Sequence, residues 1–147
     1  MTGARAFVDT NVLLRAMVPQ MAMHEACEEL LRAMWTGQVE LWISRQIIRE
    51  YLVQVTHPNT FVVPLTVEQI SHQVETLLSI FQVADDTAAV TAQLMDLVKV
   101  YPTRGKQIHD ANVVATMLAY NIDTLLTINV DDVKRFQDRI KLISPTM

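Results

Sequence analysis

Three acidic residues stand out from the charged surface expected of this chain: Asp9, Glu50 and Asp110. Asp9 breaks an apolar run, FVDTNVLL at 7–14, where a carboxylate, a hydroxyl and an amide separate Phe7 and Val8 from Val12, Leu13 and Leu14. Asp110 falls in HDANVVATML. On a helix of about 3.6 residues per turn it shares a face with Val113, Val114, Met117 and Leu118, so it turns inward in the first turn. An inward carboxylate must be hydrogen-bonded, paired or bound to a metal. Glu50 lies mid-helix, on the flank of an apolar face made by Ile47, Ile48, Tyr51, Leu52 and Val55. A fourth polar group, in LLTINVDD, offers Thr127, Asn129, Asp131 and Asp132.

Oxygen donors without a histidine or cysteine cluster suit a hard divalent cation, Mg²⁺ or Mn²⁺. Such an ion lowers the pKa of a bound water enough for attack on a phosphodiester, and it stabilises charge on the leaving oxygen. Zinc is not expected, because the histidines at 24, 57, 72 and 109 lack ligand spacing. Each acidic residue also has a plain structural alternative. Asp9 can be a helix N-cap, and Asp110 can complement a helix dipole. Glu50 can be a solvated flank paired with Arg45 or Arg49. The TINVDD residues can be a loop and helix start.

These residues need elements to bring them together. Ala6–Val8, Val39–Ile43, Phe81–Ala84, Thr124–Ile128 and Ile140–Ser144 read as short strands. Helices are expected from Val12, over His24–Trp35 with a stop at Gly37, and from an N-cap at Ser44 to about Thr56. Further helices are expected after a Thr66/Gln69 capping box, with Ile70, Val74, Leu77 and Leu78 on the apolar side, and over Thr87–Val100, Ile108–Tyr120 and Val130–Phe136. YPTRGKQ is a loop. Strands alternating with helices imply an α/β fold, a three-layer α/β/α sandwich around a mainly parallel sheet. In such sheets ligands bind beyond the carboxyl ends of the strands, where Asp9 and the TINVDD turn should fall.

Composition bounds the rest. One domain over residues 1–147 is expected from the length, and the 50% hydrophobic content with three glycines excludes disorder. A single cysteine, Cys27, cannot staple the chain, so a reducing cytoplasm is the expected compartment. No signal peptide or membrane span is visible. A net charge of −4 argues against a general polyanion-binding surface but not against a nucleic acid as substrate. Arg15, Arg45, Arg49, Arg104, Lys106, Lys134 and Arg135 could hold phosphates, or simply be solvated. Arg104 and Lys106 are favoured because their loop leads into Asp110. His109 could contact substrate or serve structure. Met17, Val18, Met21 and Met23 are apolar residues that the core need not absorb.

FVDTNVLL, ISRQIIREYL, GKQIHDANVVATMLAYNIDTLLTINVDDVKRF and the closing KLISP together resemble a PIN domain, and most closely the single-domain VapC-type toxins of toxin–antitoxin pairs. The resemblance runs from Phe7 to Pro145. It implies a Mg²⁺- or Mn²⁺-dependent endoribonuclease that cuts single-stranded or loop RNA, a homodimer, and a cognate antitoxin whose tail covers the cleft. Carried over, Asp9 and Asp110 match metal-binding aspartates, and Glu50 matches a second acidic position. Asn129 stands at the fourth, with Asp132 three residues on. An amide ligates through oxygen but brings no charge, which points to one metal held by Asp9 and Asp110. Thr10, Asn11 and Thr127 would orient the carboxylates. A receiver domain would need an acidic pair after the first strand, and an aspartate-nucleophile phosphatase an acid where Asn11 stands. A non-catalytic RNA-binding version of the same fold is the remaining alternative.

Overall fold

A computed structural model describes residues 3–145. Its centre is a five-stranded sheet, built from β1 (Arg5–Val8), β2 (Glu40–Ser44), β3 (Gln82–Ala84), β4 (Thr124–Leu126) and β5 (Lys141–Ile143) in the order β3-β2-β1-β4-β5. Every pairing is parallel. β1 is central, and its Ala6, Phe7 and Val8 are fully enclosed, as expected of a strand covered on both faces.

The chain leaves β1 through α1 (Thr10–Met17) and α2 (His24–Thr36) and enters β2. It passes through α3 (Arg45–Thr56) and α4 (Val67–Ile80) to β3. It then crosses back over β2 and β1 through α5 (Ala88–Val100) and α6 (Gln107–Ala119) to β4, and reaches β5 after α7 (Val130–Val133) and a 3₁₀ turn at Lys134–Phe136. The strand order advances in opposite directions before and after β3. Right-handed crossovers therefore put α1–α4 on one face and α5–α7 on the other. The reversal occurs between β1 and β4, the switch point at which such sheets open a crevice.

Several elements differ in detail from the sequence expectation. α2 ends at Gly37, but Gly37 has φ −76° and the left-handed residue is Gln38, at φ 60°. α4 keeps its capping box, with Thr66 accepting from the Gln69 amide and Gln69 accepting from the Thr66 amide. Its apolar side is narrower than expected: Leu77 is enclosed, while Leu78 is 48% exposed. Met17, Met21 and Met23 pack against the core and Val18 is buried within it, so these residues are not left over. The exposed apolar side chains include Trp35, Val53, Val62, Val63 and Val67 instead. No described helix is long and apolar enough to cross a membrane.

Candidate active site

β1 ends at Val8, and Asp9 caps the helix that follows. Its Oδ1 accepts the Thr10 amide at 2.9 Å. The capping alternative is therefore correct and does not compete with a functional one. The second oxygen, Oδ2, accepts the Thr127 hydroxyl at 2.8 Å. Thr127 is fully buried just past β4, and its Oγ1 also accepts the Asn129 amide at 3.1 Å. One hydroxyl thus fixes the carboxylate and starts the turn that carries Asn129. Asn11 joins the same two segments: its Oδ1 accepts the Ile128 amide at 3.2 Å.

Glu50 comes from α3. The Thr10 hydroxyl donates to its Oε1 at 3.3 Å, so Thr10 orients Glu50 with its side chain and Asp9 with its backbone. Arg45 pairs with Asp85 at 3.0 Å rather than with Glu50. Asp110 stands in the first turn of α6, half-buried above the enclosed Val113, Val114 and Met117.

These carboxylates meet in a cleft of about 420 Å³ lined by Asp9, Thr10, Asn11, Arg15, Glu50, Asp110 and Asn129, with Leu14, Met21, Val53 and Gln54 as its apolar and outer walls. It opens at the carboxyl edge of the sheet, beside the β1–β4 switch. Asp132, Thr127, His109, Arg104 and Lys106 do not line it. Thr127 lies behind Asp9. Asp132 is exposed, yet its charge acts on both Asp9 and Asp110. Asp131 faces solvent beside Lys134. His109, Arg104 and Lys106 are exposed, with His109 close enough for its charge to favour ionised Glu50 and Asp110.

The electrostatics of the cleft are those of crowded, dehydrated anions. Burial raises the Asp9 pKa above the ordinary carboxylate value, and the Thr127, Thr10 and Asn11 hydrogen bonds only partly offset it. Burial also raises Glu50, reinforced by the negative charge of Asp9. Asp110 is pushed up to about 6 by burial, then by Asp132 and Asp9, against the pull of Arg135 and His109. Among the described residues none of the three forms an ion pair. Carboxylates that repel one another, with Asp9 and Glu50 held by neutral donors, fit a divalent cation, which would remove the repulsion. No three histidine, cysteine, aspartate or glutamate side chains among the described residues form a ready cage. Asp9, Glu50 and Asp110 are oxygen donors of the kind that a water-retaining ion such as Mg²⁺ takes through one or two carboxylates.

Two contributors were not singled out from the sequence. Arg15 lines the cleft, and nothing in its sequence position separates it from the other basic residues. Gln46 is buried and joins α3 to α6. An amide near a helix start reads as surface, so only contact across the sheet edge reveals it.

No curated protein sequence matches the chain. Solved structures do match by fold. The VapBC2 complex of Rickettsia felis bound to a promoter DNA fragment aligns with TM-score 0.67 and 17% identity, covering 97% of this chain and 99% of that one. Mycobacterium tuberculosis VapC20, a toxin that cleaves the sarcin–ricin loop, gives TM-score 0.66 and 16% identity over 88% and 93% of the two chains. A toxin–antitoxin complex from Klebsiella pneumoniae gives 0.66 and 20% over 96% and 98%. At these identities the likeness is one of fold. The sequence itself matches the PIN domain family over residues 5–131, nearly the whole chain, and it is to that family that this protein belongs.

Proposed function

We propose that the protein is a Mg²⁺- or Mn²⁺-dependent endoribonuclease that hydrolyses phosphodiester bonds in single-stranded or loop RNA, and that it is the toxin of a type II toxin–antitoxin pair. The observation that carries this reading is the meeting of Asp9, Glu50 and Asp110 in one cleft, each with its pKa raised and none in an ion pair. The cleavage of the sarcin–ricin loop by VapC20 and the toxin–antitoxin complexes among the structural relatives support the substrate class and the partner.

Asp9 and Asp110 would hold the cation, with Asn129 able to add a neutral oxygen from the facing turn. When bound, the ion supplies Lewis acidity toward the phosphodiester and lowers the pKa of the attacking water. Glu50, held through Oε1 by Thr10, can take the proton of that water at its other oxygen. Thr127 and the Thr10 amide keep the Asp9 carboxylate in one orientation, so its two oxygens need no reorganisation as charge develops. Arg15 on the cleft wall, with Arg104, Lys106 and His109 outside it, would meet the RNA backbone. A cytoplasmic homodimer bound by an antitoxin completes the proposal, and exposed Val53, Val62, Val63 and Val67 supply apolar surface suited to association.

The test is incubation of purified protein with an unstructured RNA, with Mg²⁺ or Mn²⁺ and with EDTA. Cleavage should require the ion and fall by roughly 100-fold or more in Asp9→Asn and Asp110→Asn. Cleavage undiminished in both variants would refute the assignment.

A further inference from the structure

Glu50 and Asp110 reach one cleft from helices that cover opposite faces of the sheet. α3 and α6 therefore meet only past the carboxyl edge of the strands, and they share little packing. Among the described residues, the side-chain hydrogen bonds that join them run through Gln46. Gln46, in the first turn of α3 and 7% exposed, donates from Nε2 to the His109 carbonyl at 2.9 Å. Its Oε1 accepts from Asn112 Nδ2 at 2.8 Å. Among the described residues these are the only side-chain hydrogen bonds between the two helices.

The chemistry fixes the direction of both bonds. A backbone carbonyl can only accept, so the Gln46 NH₂ group must face His109. The Gln46 oxygen must then face Asn112, which has to present its own NH₂. Neither amide can flip without leaving a buried group unmatched. The geometry is also placed to matter. Gln46 lies one turn before Glu50 on α3, and His109 and Asn112 bracket Asp110 on α6. The N-cap of α6, Lys106, makes no side-chain cap bond, and the first-turn amides of Gln107, Ile108 and His109 are met by backbone carbonyls of the preceding turn, so these local bonds hold the turn but do not tie it to α3.

We propose that Gln46 is a positioning residue: its amide, clamped between the His109 carbonyl and Asn112, sets the separation of Glu50 and Asp110 and so the affinity of the cleft for its cation. The inference rests on the metal-site reading above. Removing the clamp leaves every carboxylate in place but lets the two helix starts drift. Groups that orient metal ligands typically change metal affinity by about 10–100-fold when replaced.

The experiment titrates the purified protein with Mn²⁺, following free Mn²⁺ by electron paramagnetic resonance. It compares the parent chain, Gln46→Met, Asn112→Ala and Asp9→Asn, with thermal unfolding of each. Gln46→Met keeps the bulk and removes both bonds. Asn112→Ala removes one and decides the matter if Gln46→Met does not fold. Both bridge variants should bind Mn²⁺ about ten-fold or more weakly while still unfolding cooperatively. Affinity within about two-fold of the parent, whatever the loss of melting temperature, would overturn the positioning role. If Asp9→Asn alone lost Mn²⁺, the site reading would stand and this inference would fall. A parent that binds no Mn²⁺ would overturn both.

Discussion

At the scale of the residue, the cleft is governed by how few donors hold its acids. Thr127 serves Asp9 and the Asn129 amide at once. Thr127→Val, nearly the same shape, removes both bonds in a fully buried place. It should lower stability by about 1–3 kcal/mol, measured by denaturant unfolding, and weaken Mn²⁺ binding. A second consequence concerns pH. An aspartate in an unfolded chain titrates near about 3.9, whereas folded Asp110 titrates at about 6 and Asp9 is also raised. Between those values the native protein binds more protons than the unfolded chain. The stability that protonation confers is complete below the unfolded pKa and is lost as pH rises through the folded one. In EDTA the protein should therefore melt higher at pH 5 than at pH 7.5. Asp110→Asn should recover on the order of 1–2 kcal/mol at the higher pH, allowing for screening at a half-exposed group. Calorimetry across that range checks both. Asp9 and Asp110 were legible as sequence because each interrupts an apolar pattern that has no use for a carboxylate. Gln46 was not, because an amide in the first turn of a helix contradicts nothing local.

At the scale of the element, alternation of strand and helix was readable wherever caps and periodicity agreed. The Ser44 and Thr66 N-caps stand as expected. Thr66→Ala should cost about 1 kcal/mol by denaturant unfolding and leave RNA cleavage unchanged, since α4 contributes nothing to the cleft walls. What periodicity could not show was the width of each apolar face. Leu78 fits the helical spacing but lies outside the strip that α4 covers. The early methionines follow no helical stripe in the sequence, yet the end of α1 and the turn after it fold them against the core. The width of a buried face depends on the neighbour, and the neighbour is set by tertiary arrangement rather than by spacing.

At the scale of the whole molecule, the parallel α/β class follows from the alternation of elements, but the strand order does not, because it depends on which distant segments pair. That order decides the chemistry. β4 sits beside β1, so the first acid of the chain is finished by residues more than a hundred positions later: the Asp9 amide donates to the Leu126 carbonyl at 3.0 Å, and Thr127 reaches back to Oδ2. This arrangement has a consequence in time. A chain emerging from the ribosome at about 5–20 residues per second has Asp9, Glu50 and Asp110 all present before β4 exists. Until β4 inserts, the central strand lacks one neighbour and the Asp9 carboxylate lacks its buried donor. A chain ending at Ala119 should therefore show no metal-dependent RNA cleavage although it retains all three acids, and cutting by that fragment would refute the idea. On the proposed reading, a chain made in this order stays silent toward RNA until β4 and Thr127 have joined Asp9.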